Sequence, residues 1–452
     1  MKRFFERNLV SWKKNTHRRI LIVVGQRRVG KSHTLGEFAA KNFDGVLAIK
    51  PDELSKIAGL MAQGPEKNIT RADFLHALNR EIIPEKHLVL LNDVRDSIHA
   101  LPGLIRFFKG LPDLYCVIET TPADYHQLAA SGEFDPDAVY IQYVHPLSFG
   151  EFLAAKGQEE LFLFLCQIHI QSRIGETLHH KLLNLFKDYL FVGGMPEVVM
   201  SHVEDPLSQG YQQVQTKILQ ELIDEVQKHT KKLAHRYLGK IIDTAPAMIG
   251  TYYKYAAVDK TIQSRELKKA MRTIVNSGCL IKVAEGMPGE NPRSNKEVKR
   301  NFDPAFKVIF FDTGLLVRMG GLEGQLAETE DFINAADKTV SRQFAGQELV
   351  ATMSPTQKPG LCFWRRHKRG SSAEVDYLIR VRENLSVPLI INANKPGWLK
   401  GLKIFFDQHP SVPLGVRISQ DTPSYRDKIL TLPVYAVGQA ARIAAQVLLR
   451  EQ

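Results

Sequence analysis

The chain has 452 residues, of which 44% are hydrophobic and 24% charged, with 31 glycines and 22 prolines. This composition excludes collagen-like, fibrous and wholly disordered proteins. At roughly 100 to 200 residues per domain, the length predicts two to four domains. Lys and Arg number 60 against 49 Asp and Glu, a formal net charge of +11 that favours encounter with polyanions.

The four cysteines stand far apart without a CxxC pair, so the sequence indicates neither a disulfide framework nor a zinc site. The basic N-terminus lacks the apolar core of a signal peptide, and runs such as residues 161–166 are too short to span a bilayer. We therefore expect a cytoplasmic protein with no membrane partner.

Apolar, β-branched runs at residues 19–25, 88–93 and 115–121 are typical of strands buried on both faces. Helical segments between them predict a mostly parallel α/β sheet. From residue 146 to about residue 230, apolar positions recur at three- and four-residue spacing, which predicts a helical region.

A further helical region ends in a helix that begins near Ser264 and stops at Gly278. A strand at residues 279–283, a Gly- and Asn-rich turn and a second strand at 306–311 follow. A helix followed by two strands predicts a winged helix. A final α/β unit begins near residue 341, and its predicted strands cover residues 361–364, 374–381 and 387–391.

Residues 25–32 match the complete motif G-x-x-x-x-G-K-[ST] between a predicted strand and a predicted helix. In such a loop, backbone N–H groups and the helix N-terminus surround phosphate groups. We therefore predict ATP and Mg²⁺ as cofactors, with Lys31 on the β- and γ-phosphates and Ser32 on the metal. The predicted nucleotide-binding residues are Gly25, Gln26, Arg27, Arg28, Val29, Gly30, Lys31, Ser32 and His33.

Hydrolysis normally requires Asp and then Glu after a neighbouring strand, to hold Mg²⁺ and to polarise water. Here those places hold Asn92 and Asp93. Asn92 carries no charge and Asp93 is shorter than Glu, which weakens catalysis, although Asp93 is an alternative metal ligand. Thr120 and Thr121, at the tip of the next strand, are candidate γ-phosphate sensors, with a plain strand-end turn as the alternative. The candidate catalytic residues are Asp93, Asn92 and Thr120.

The chain resembles prokaryotic P-loop ATPases of AAA type, often called archaeal-type ATPases, whose C-terminal half is a domain of unknown function. The resemblance rests on the segments 25–32, 145–153, 189–199, 306–316 and 374–379. Pro-Leu-Ser-Phe-x-Glu-Phe and Gly-Gly-x-Pro-Glu, in that order, are its distinctive motifs.

What the resemblance implies is an α/β fold with a P-loop NTPase sheet core of AAA type, a winged helix and a C-terminal part similar to PD-(D/E)XK nucleases. We accordingly divide the chain into a nucleotide-binding domain at 1–150, a helical lid or linker at 151–230, a winged-helix-like domain at 231–330 and a degenerate nuclease-like domain at 331–452.

The sequence departs from this family at three places. Asn92 and Asp93 replace the usual Asp-Glu pair, and no Arg or Lys lies between Ser131 and His145, where the family commonly has Gly-Arg. The charge that stabilises a transferring phosphoryl group must then come from elsewhere or is missing, so slow turnover, or none, is expected.

The third departure lies in the nuclease-like domain, where cleavage needs carboxylates for Mg²⁺ and a nearby Lys. Glu348 and Asp376 match two acidic positions, but the following strand has Asn392 and Asn394, and Lys395 is one residue out of phase. We predict a degenerate nuclease site, with an active nuclease as the alternative to structural remnants.

Two basic clusters are candidate nucleic-acid contacts, one on the predicted recognition helix and one in the loop before residue 374. The clusters are Arg265, Lys268, Lys269 and Arg272, and Arg365, Arg366, Lys368 and Arg369. The alternatives are a winged helix that only docks domains and a solvated loop. The sequence also leaves open whether the chain binds a protein partner and whether it forms oligomers.

The leading hypothesis is an ATP-binding protein, with weak ATPase activity left open, whose nucleotide state controls the C-terminal half on a nucleic acid or protein partner. One alternative is a non-catalytic, nucleotide-switched interaction module. The other is a Mg-dependent nuclease.

Overall fold

The computed structural model describes residues 3–15, 20–61, 70–133, 138–228, 232–288, 305–368, 370–391 and 399–450. The first part of the chain contains α1 (Phe4–Lys14), β1 (Ile20–Gly25), α2 (Lys31–Asn42), β2 (Gly45–Ile49), α3 (Pro51–Met61), α4 (Arg71–Leu78), β3 (His87–Leu91), α5 (Leu101–Lys109), β4 (Tyr115–Thr120), α6 (Pro122–Ala130) and β5 (Tyr140–Val144). A helical region follows, with α7 (Phe149–Ala155), α8 (Glu159–Gln167), α9 (Glu176–Val192), α10 (Pro196–Glu204) and α11 (Gly210–Lys228).

The second half begins with α12 (Lys232–Met248), α13 (Tyr255–Val258), α14 (Ser264–Asn276), β6 (Leu280–Glu285), β7 (Phe306–Phe310), α15 (Thr313–Met319) and α16 (Glu323–Glu328). It ends with α17 (Thr339–Ala351), β8 (Leu361–Arg365), β9 (Glu374–Arg382), β10 (Leu385–Ile391), α18 (Leu399–Gln408), β11 (Gly415–Ser419), β12 (Ser424–Arg426), β13 (Ile429–Pro433) and α19 (Ala440–Arg450).

A five-stranded parallel sheet forms the core of the first part, in the order β2-β3-β4-β1-β5. All six residues of β1 are buried, because helices cover both faces of the sheet. Leu21 and Val23 face the core that contains α2, whereas Ile22 and Val24 face the core that contains α6. The parallel α/β sheet predicted from the sequence is therefore confirmed.

A second, mixed sheet has eight strands in the order β12-β13-β11-β10-β9-β8-β6-β7. The strands predicted at 279–283, 306–311, 361–364, 374–381 and 387–391 correspond to β6 to β10. β6 pairs in parallel with β8 through Val283 and Leu361. One sheet thus crosses residue 330, where the sequence suggested a domain boundary, because backbone hydrogen bonds join segments that are remote along the chain.

An aromatic cluster connects the two halves through α7, α9 and α17. The ring centroids of Phe186 and Phe344 lie 4.7 Å apart, and those of Phe149 and Tyr189 lie 5.8 Å apart. α7 begins with a capping box formed by Ser148 and Glu151. No helix within the described ranges has both the length and the apolar character needed to cross a bilayer.

Candidate nucleotide-binding site

The glycine-rich loop connects the buried strand β1 to the first turn of α2. Gly30 has φ +88°, a left-handed conformation that suits glycine. A Cβ atom at Gly30 would lie 3.3 Å from Nη1 of Arg3 and 3.3 Å from Cγ of Pro196. The N-terminal segment and the start of α10 therefore lie close to the loop, and the left-handed backbone at this position favours glycine.

Lys31 and Ser32 occupy the first turn of α2. Lys31 Nζ donates to the carbonyl oxygens of Gly25 and Gln26, both at 2.8 Å. Burial lowers the pKa of Lys31, while the nearby carboxylate of Glu119 opposes that change. Ser32 Oγ lies 2.9 Å from each carboxylate oxygen of Glu119. This strand residue is absent from the set predicted from the sequence.

The candidate catalytic residues lie in different environments. Asn92 Oδ1 is buried and has no hydrogen-bond partner within the described part of the chain. Asp93 has φ +49°, and its carboxylate, 56% exposed, lies 3.2 Å from Nη2 of Arg27. Thr120 Oγ1 donates to the carbonyl oxygen of Thr121 at 3.3 Å.

Strand alternation explains why β4 presents Glu119, and not Thr120, to the loop. Glu119 pairs with Val23, which faces the α2 side of the sheet, and Thr120 pairs with Val24, which faces the α6 side. Successive side chains of a strand point to opposite faces. A glutamate inside the apolar run 115–121 was the sequence signal that could have identified this position.

The two loop arginines form ion pairs with the helical region that follows the sheet. Arg28 donates from Nε and Nη2 to Glu221 at 2.6 and 2.7 Å and also pairs with Glu197. Arg27 Nε lies 3.3 Å from Glu225 Oε2, and Arg95 pairs with the same carboxylate. Carboxylates from α10 and α11 therefore hold the tip of the loop.

Gln26 connects the loop to the second half of the chain. Its Nε2 donates to the carbonyl oxygen of Ser277, just after α14, at 2.5 Å. A Cβ atom on Gly278 would lie 2.9 Å from the same nitrogen, so glycine permits this close approach. A cavity of about 310 Å³ lies beside Gly25 and Gln26, between α6, β5 and α14.

The remaining predicted loop residues have structural contacts. The carbonyl of Val29 accepts a hydrogen bond from Nη1 of Arg3 at 2.7 Å. His33 lies on the exposed surface of α2, with Nε2 3.4 Å from Oε1 of Glu37. His33 is thus directed towards its own helix surface.

The residues present fit Mg²⁺ and a nucleotide. Mg²⁺ prefers oxygen ligands such as carboxylates, in combination with water and phosphate oxygens. The hydroxyl of Ser32 and the carboxylate of Glu119 provide such oxygens side by side, and the buried amide oxygen of Asn92 is unpaired among the residues described. Lys31 provides the cation that this loop type directs at the phosphates.

The predicted nuclease-site residues have separate partners. Glu348 is 4% exposed and accepts a hydrogen bond from the Phe149 N–H at 2.9 Å. Asp376 accepts hydrogen bonds from Arg342 Nε at 2.8 Å and from the Ile391 N–H at 2.9 Å. Asn392 and Asn394 lie outside the described residues. No group of three His, Cys, Asp or Glu side chains suited to a metal occurs within the described ranges.

The predicted basic clusters are partly paired with acidic side chains. Arg265 and Lys269 each lie 3.3 Å from Glu266, and Lys268 and Arg272 are exposed on the same helix. In the other cluster, Arg365 lies 3.2 Å from Glu285. Arg366 is half-buried, Lys368 is exposed, and Arg369 lies outside the described residues.

A parallel sheet of this strand order, with a complete phosphate loop between its β1 and α2, defines a P-loop nucleotide-binding domain. Residues 17–153 match the family model described as an AAA domain. Residues 183–326 match a family described as a domain of unknown function, DUF8612. No curated protein matches the sequence.

Several solved structures are similar in part. A Walker-type ATPase of Pyrococcus abyssi is 13% identical with a TM-score of 0.43, over 70% of this chain and 94% of that one. The ORC1 protein of Aeropyrum pernix, solved in complex with DNA, is 9% identical with a TM-score of 0.31, over 71% and 93%. Cdc6p of Pyrobaculum aerophilum is 12% identical with a TM-score of 0.24, over 71% and 91%. Scores at this level do not bear on function.

Proposed function

We propose that the chain is an ATP-binding switch in which Mg-ATP at the AAA-type domain sets the position of the C-terminal half on a nucleic acid or protein partner. One observation carries the proposal. Side chains of the phosphate loop, Gln26, Arg27 and Arg28, contact elements that follow the domain, namely α10, α11 and the end of α14.

Charge explains how a nucleotide would act on these contacts. The triphosphate of ATP carries several negative charges, which attract Arg27 and Arg28 and repel the carboxylates of Glu197, Glu221 and Glu225. A ligand shifts a conformational equilibrium by the difference in its affinity for the two states. ATP binding is therefore expected to weaken the pairs between the loop and α10 and α11, and breaking those pairs is expected to strengthen ATP binding.

The chain's own residues have distinct tasks in this proposal. The backbone N–H groups of the loop and the ammonium of Lys31 bind the phosphates, and the hydroxyl of Ser32 binds the metal. When bound, Mg²⁺ neutralises charge on the phosphate oxygens. Asn92, in place of the usual carboxylate, favours slow turnover, so the switch depends on binding more than on rapid hydrolysis.

The order of elements in the C-terminal half supports the proposed partner. The succession α12-α13-α14-β6-β7 is compatible with the winged helix predicted from the sequence, and α17-β8-β9-β10-α18-β11 is compatible with the nuclease-like fold expected from the resemblance. The Arg342 guanidinium beside Asp376 holds the pKa of that carboxyl below its ordinary value against the effect of burial. Because Arg342 already neutralises this carboxylate, we propose that the half binds its partner without cleaving it.

Calorimetric titration with ATP tests the first part of the proposal. Lys31→Met removes the ammonium that this loop type directs at the phosphates and is expected to weaken ATP binding about tenfold or more, equivalent to about 1.4 kcal/mol. Equal ATP affinity of the wild-type protein and this variant would contradict nucleotide binding at the loop.

The coupling is tested by Glu221→Gln, which removes one partner of Arg28. A partly exposed ion pair contributes about 0.2–1 kcal/mol, so the variant is expected to bind ATP roughly 1.4- to five-fold more tightly. Asp224→Asn is the matched control, because Asp224 is exposed on the same helix and its carboxylate bonds to Gln220. Identical ATP affinity of wild type, Glu221→Gln and the control would show that α11 is not coupled to the loop.

A further inference from the structure

The serine of the phosphate loop is hydrogen bonded to a carboxylate on β4. In P-loop NTPases, Mg²⁺ is held by this Ser or Thr together with an acidic residue that follows a neighbouring strand. In this chain, Asn92 stands at that position after β3 and carries no charge. The carboxylate that contacts Ser32 is Glu119, with both oxygens 2.9 Å from Oγ.

The register of the sheet explains how Glu119 reaches this position. β4 lies between β3 and β1, so it is adjacent to the strand that leads into the loop. Glu119 is opposite Val23, two residues before Gly25, and shares the face of the sheet on which α2 packs. Its longer side chain extends from there to the first turn of the helix.

Because Glu119 is largely buried, its negative charge is costly unless a cation lies beside it. Its side chain is 14% exposed, and that of Lys31 is 4% exposed, with Nζ 3.7 Å from Oε1. A charge in such surroundings requires a partner of opposite sign. If Lys31 turns to the phosphates of a nucleotide, Glu119 loses that partner, and a divalent cation beside Ser32 would replace it.

We propose that Glu119 is the acidic residue that holds Mg²⁺ beside Ser32, in place of the residue after β3. This inference rests on the proposed binding of ATP. The rival is Asp93, but its carboxylate is 56% exposed and paired with Arg27 at 3.2 Å, at the tip of the loop. Glu119 instead contacts the metal-binding hydroxyl directly.

The experiment measures ATP affinity by calorimetry with excess EDTA and with excess Mg²⁺. In the wild-type protein, Mg²⁺ is expected to strengthen binding about tenfold or more. In Glu119→Gln the metal-free affinity is expected to be retained or increased, because a negative charge near the phosphates is lost, while most of the gain from Mg²⁺ disappears. Glu119→Asp, which withdraws the charge by one methylene, is expected to lose at least threefold of that gain.

Two further variants make the assignment specific. Asp93→Asn is expected to keep the gain from Mg²⁺. Glu37→Gln, the same chemical change at a partly exposed position of α2, is the matched control and is expected to behave as wild type. Mn²⁺ with ATP, followed by electron paramagnetic resonance, gives a second readout, since Glu119→Gln should leave more Mn²⁺ free at equal concentrations.

The outcomes separate this inference from the proposed function. Metal-free ATP binding that is weakened by Lys31→Met supports the proposed function whatever happens at Glu119. An undiminished gain from Mg²⁺ in both Glu119 variants, or a gain lost in Asp93→Asn instead, would overturn the assignment of Glu119 and leave ATP binding intact. Absence of ATP binding by the wild-type protein with and without metal would overturn both.

Discussion

Arg3, which precedes the AAA-domain match, is predicted to control both stability and nucleotide affinity. Its Nε lies 3.0 Å from Oε1 of Glu151, and Nη1 and Nη2 donate to the carbonyls of Val29 and His145, both at 2.7 Å. The side chains of Arg3 and Glu151 are only 6% and 5% exposed. Arg3→Met leaves this carboxylate buried without its cation, which costs about 3–5 kcal/mol.

The same substitution releases the carbonyl of Val29, which belongs to the phosphate loop. In the variant, the freed loop must become ordered when ATP binds. Ordering the backbone of one residue costs about 1–2 kcal/mol, so the variant is expected to bind ATP roughly tenfold more weakly. Urea unfolding and calorimetry measure the two effects. Arg7→Met, an exposed position on α1, is the control. A loss below about 1 kcal/mol, together with unchanged ATP affinity, would refute the role given to Arg3.

Three further predictions concern buried polar groups. Burial raises the pKa of Glu348 to about 7, from an ordinary 4.5. The unfolded chain therefore releases this proton at lower pH than the folded protein, and the free energy of unfolding should fall by about 3 kcal/mol as pH rises from 4.5 to 7. Urea midpoints measured at pH 5 and at pH 8 should differ less in Glu348→Gln than in the wild-type protein. An equal difference in both proteins would contradict the raised pKa of Glu348. Arg342→Met removes the cation paired with the buried carboxylate of Asp376, so it should lower the free energy of unfolding by about 3–5 kcal/mol. Urea unfolding measures this loss, and an unchanged free energy would show that the pair does not contribute to stability. Gln26→Leu leaves the carbonyl of Ser277 without its hydrogen-bond donor and should lower the free energy of unfolding by about 1–3 kcal/mol. Thermal unfolding measures this change, and an unchanged midpoint temperature would count against this contact between the halves.

The phosphate loop was predictable because its information is local. The glycine spacing, the Lys-Ser pair and the flanking strand and helix all lie within residues 19–43, so no distant contact was needed to place them. The parallel sheet followed from alternating patterns in the same way. β2 and β5 were not predicted, since their short runs, Gly45–Ile49 and Tyr140–Val144, are only partly buried.

The partners of the loop were not predictable, because they lie far away in sequence. Glu221 is 193 residues from Arg28, and Ser277 is 251 residues from Gln26. Glu119 was missed for a different reason. The last residues of the strand were considered as candidates, and Thr120 was predicted there instead of Glu119. Alternation along β4 determines which of the two faces α2, and that choice depends on a register that the sequence does not give.

The two distinctive motifs of the chain meet at the phosphate loop. Their contacts with the loop give each motif a structural role. Glu151, from Pro-Leu-Ser-Phe-Gly-Glu-Phe, acts through Arg3 on Val29. In Gly-Gly-Met-Pro-Glu, the proline packs against Gly30 and the glutamate pairs with Arg28.

The second glycine of that motif extends the connection to the C-terminal half. Gly194 donates its N–H to Oδ2 of Asp312 at 2.7 Å and accepts from the Leu147 N–H at 2.6 Å, so one residue joins the segment after β7 to the start of the first motif. A Cβ atom there would lie 2.3 Å from the carbonyl oxygen of Leu147. Any larger residue must displace that backbone, and the displacement would reach the phosphate loop through Pro196 and Glu197. Substitutions at Gly194 should therefore change nucleotide affinity, which calorimetric titration with ATP measures.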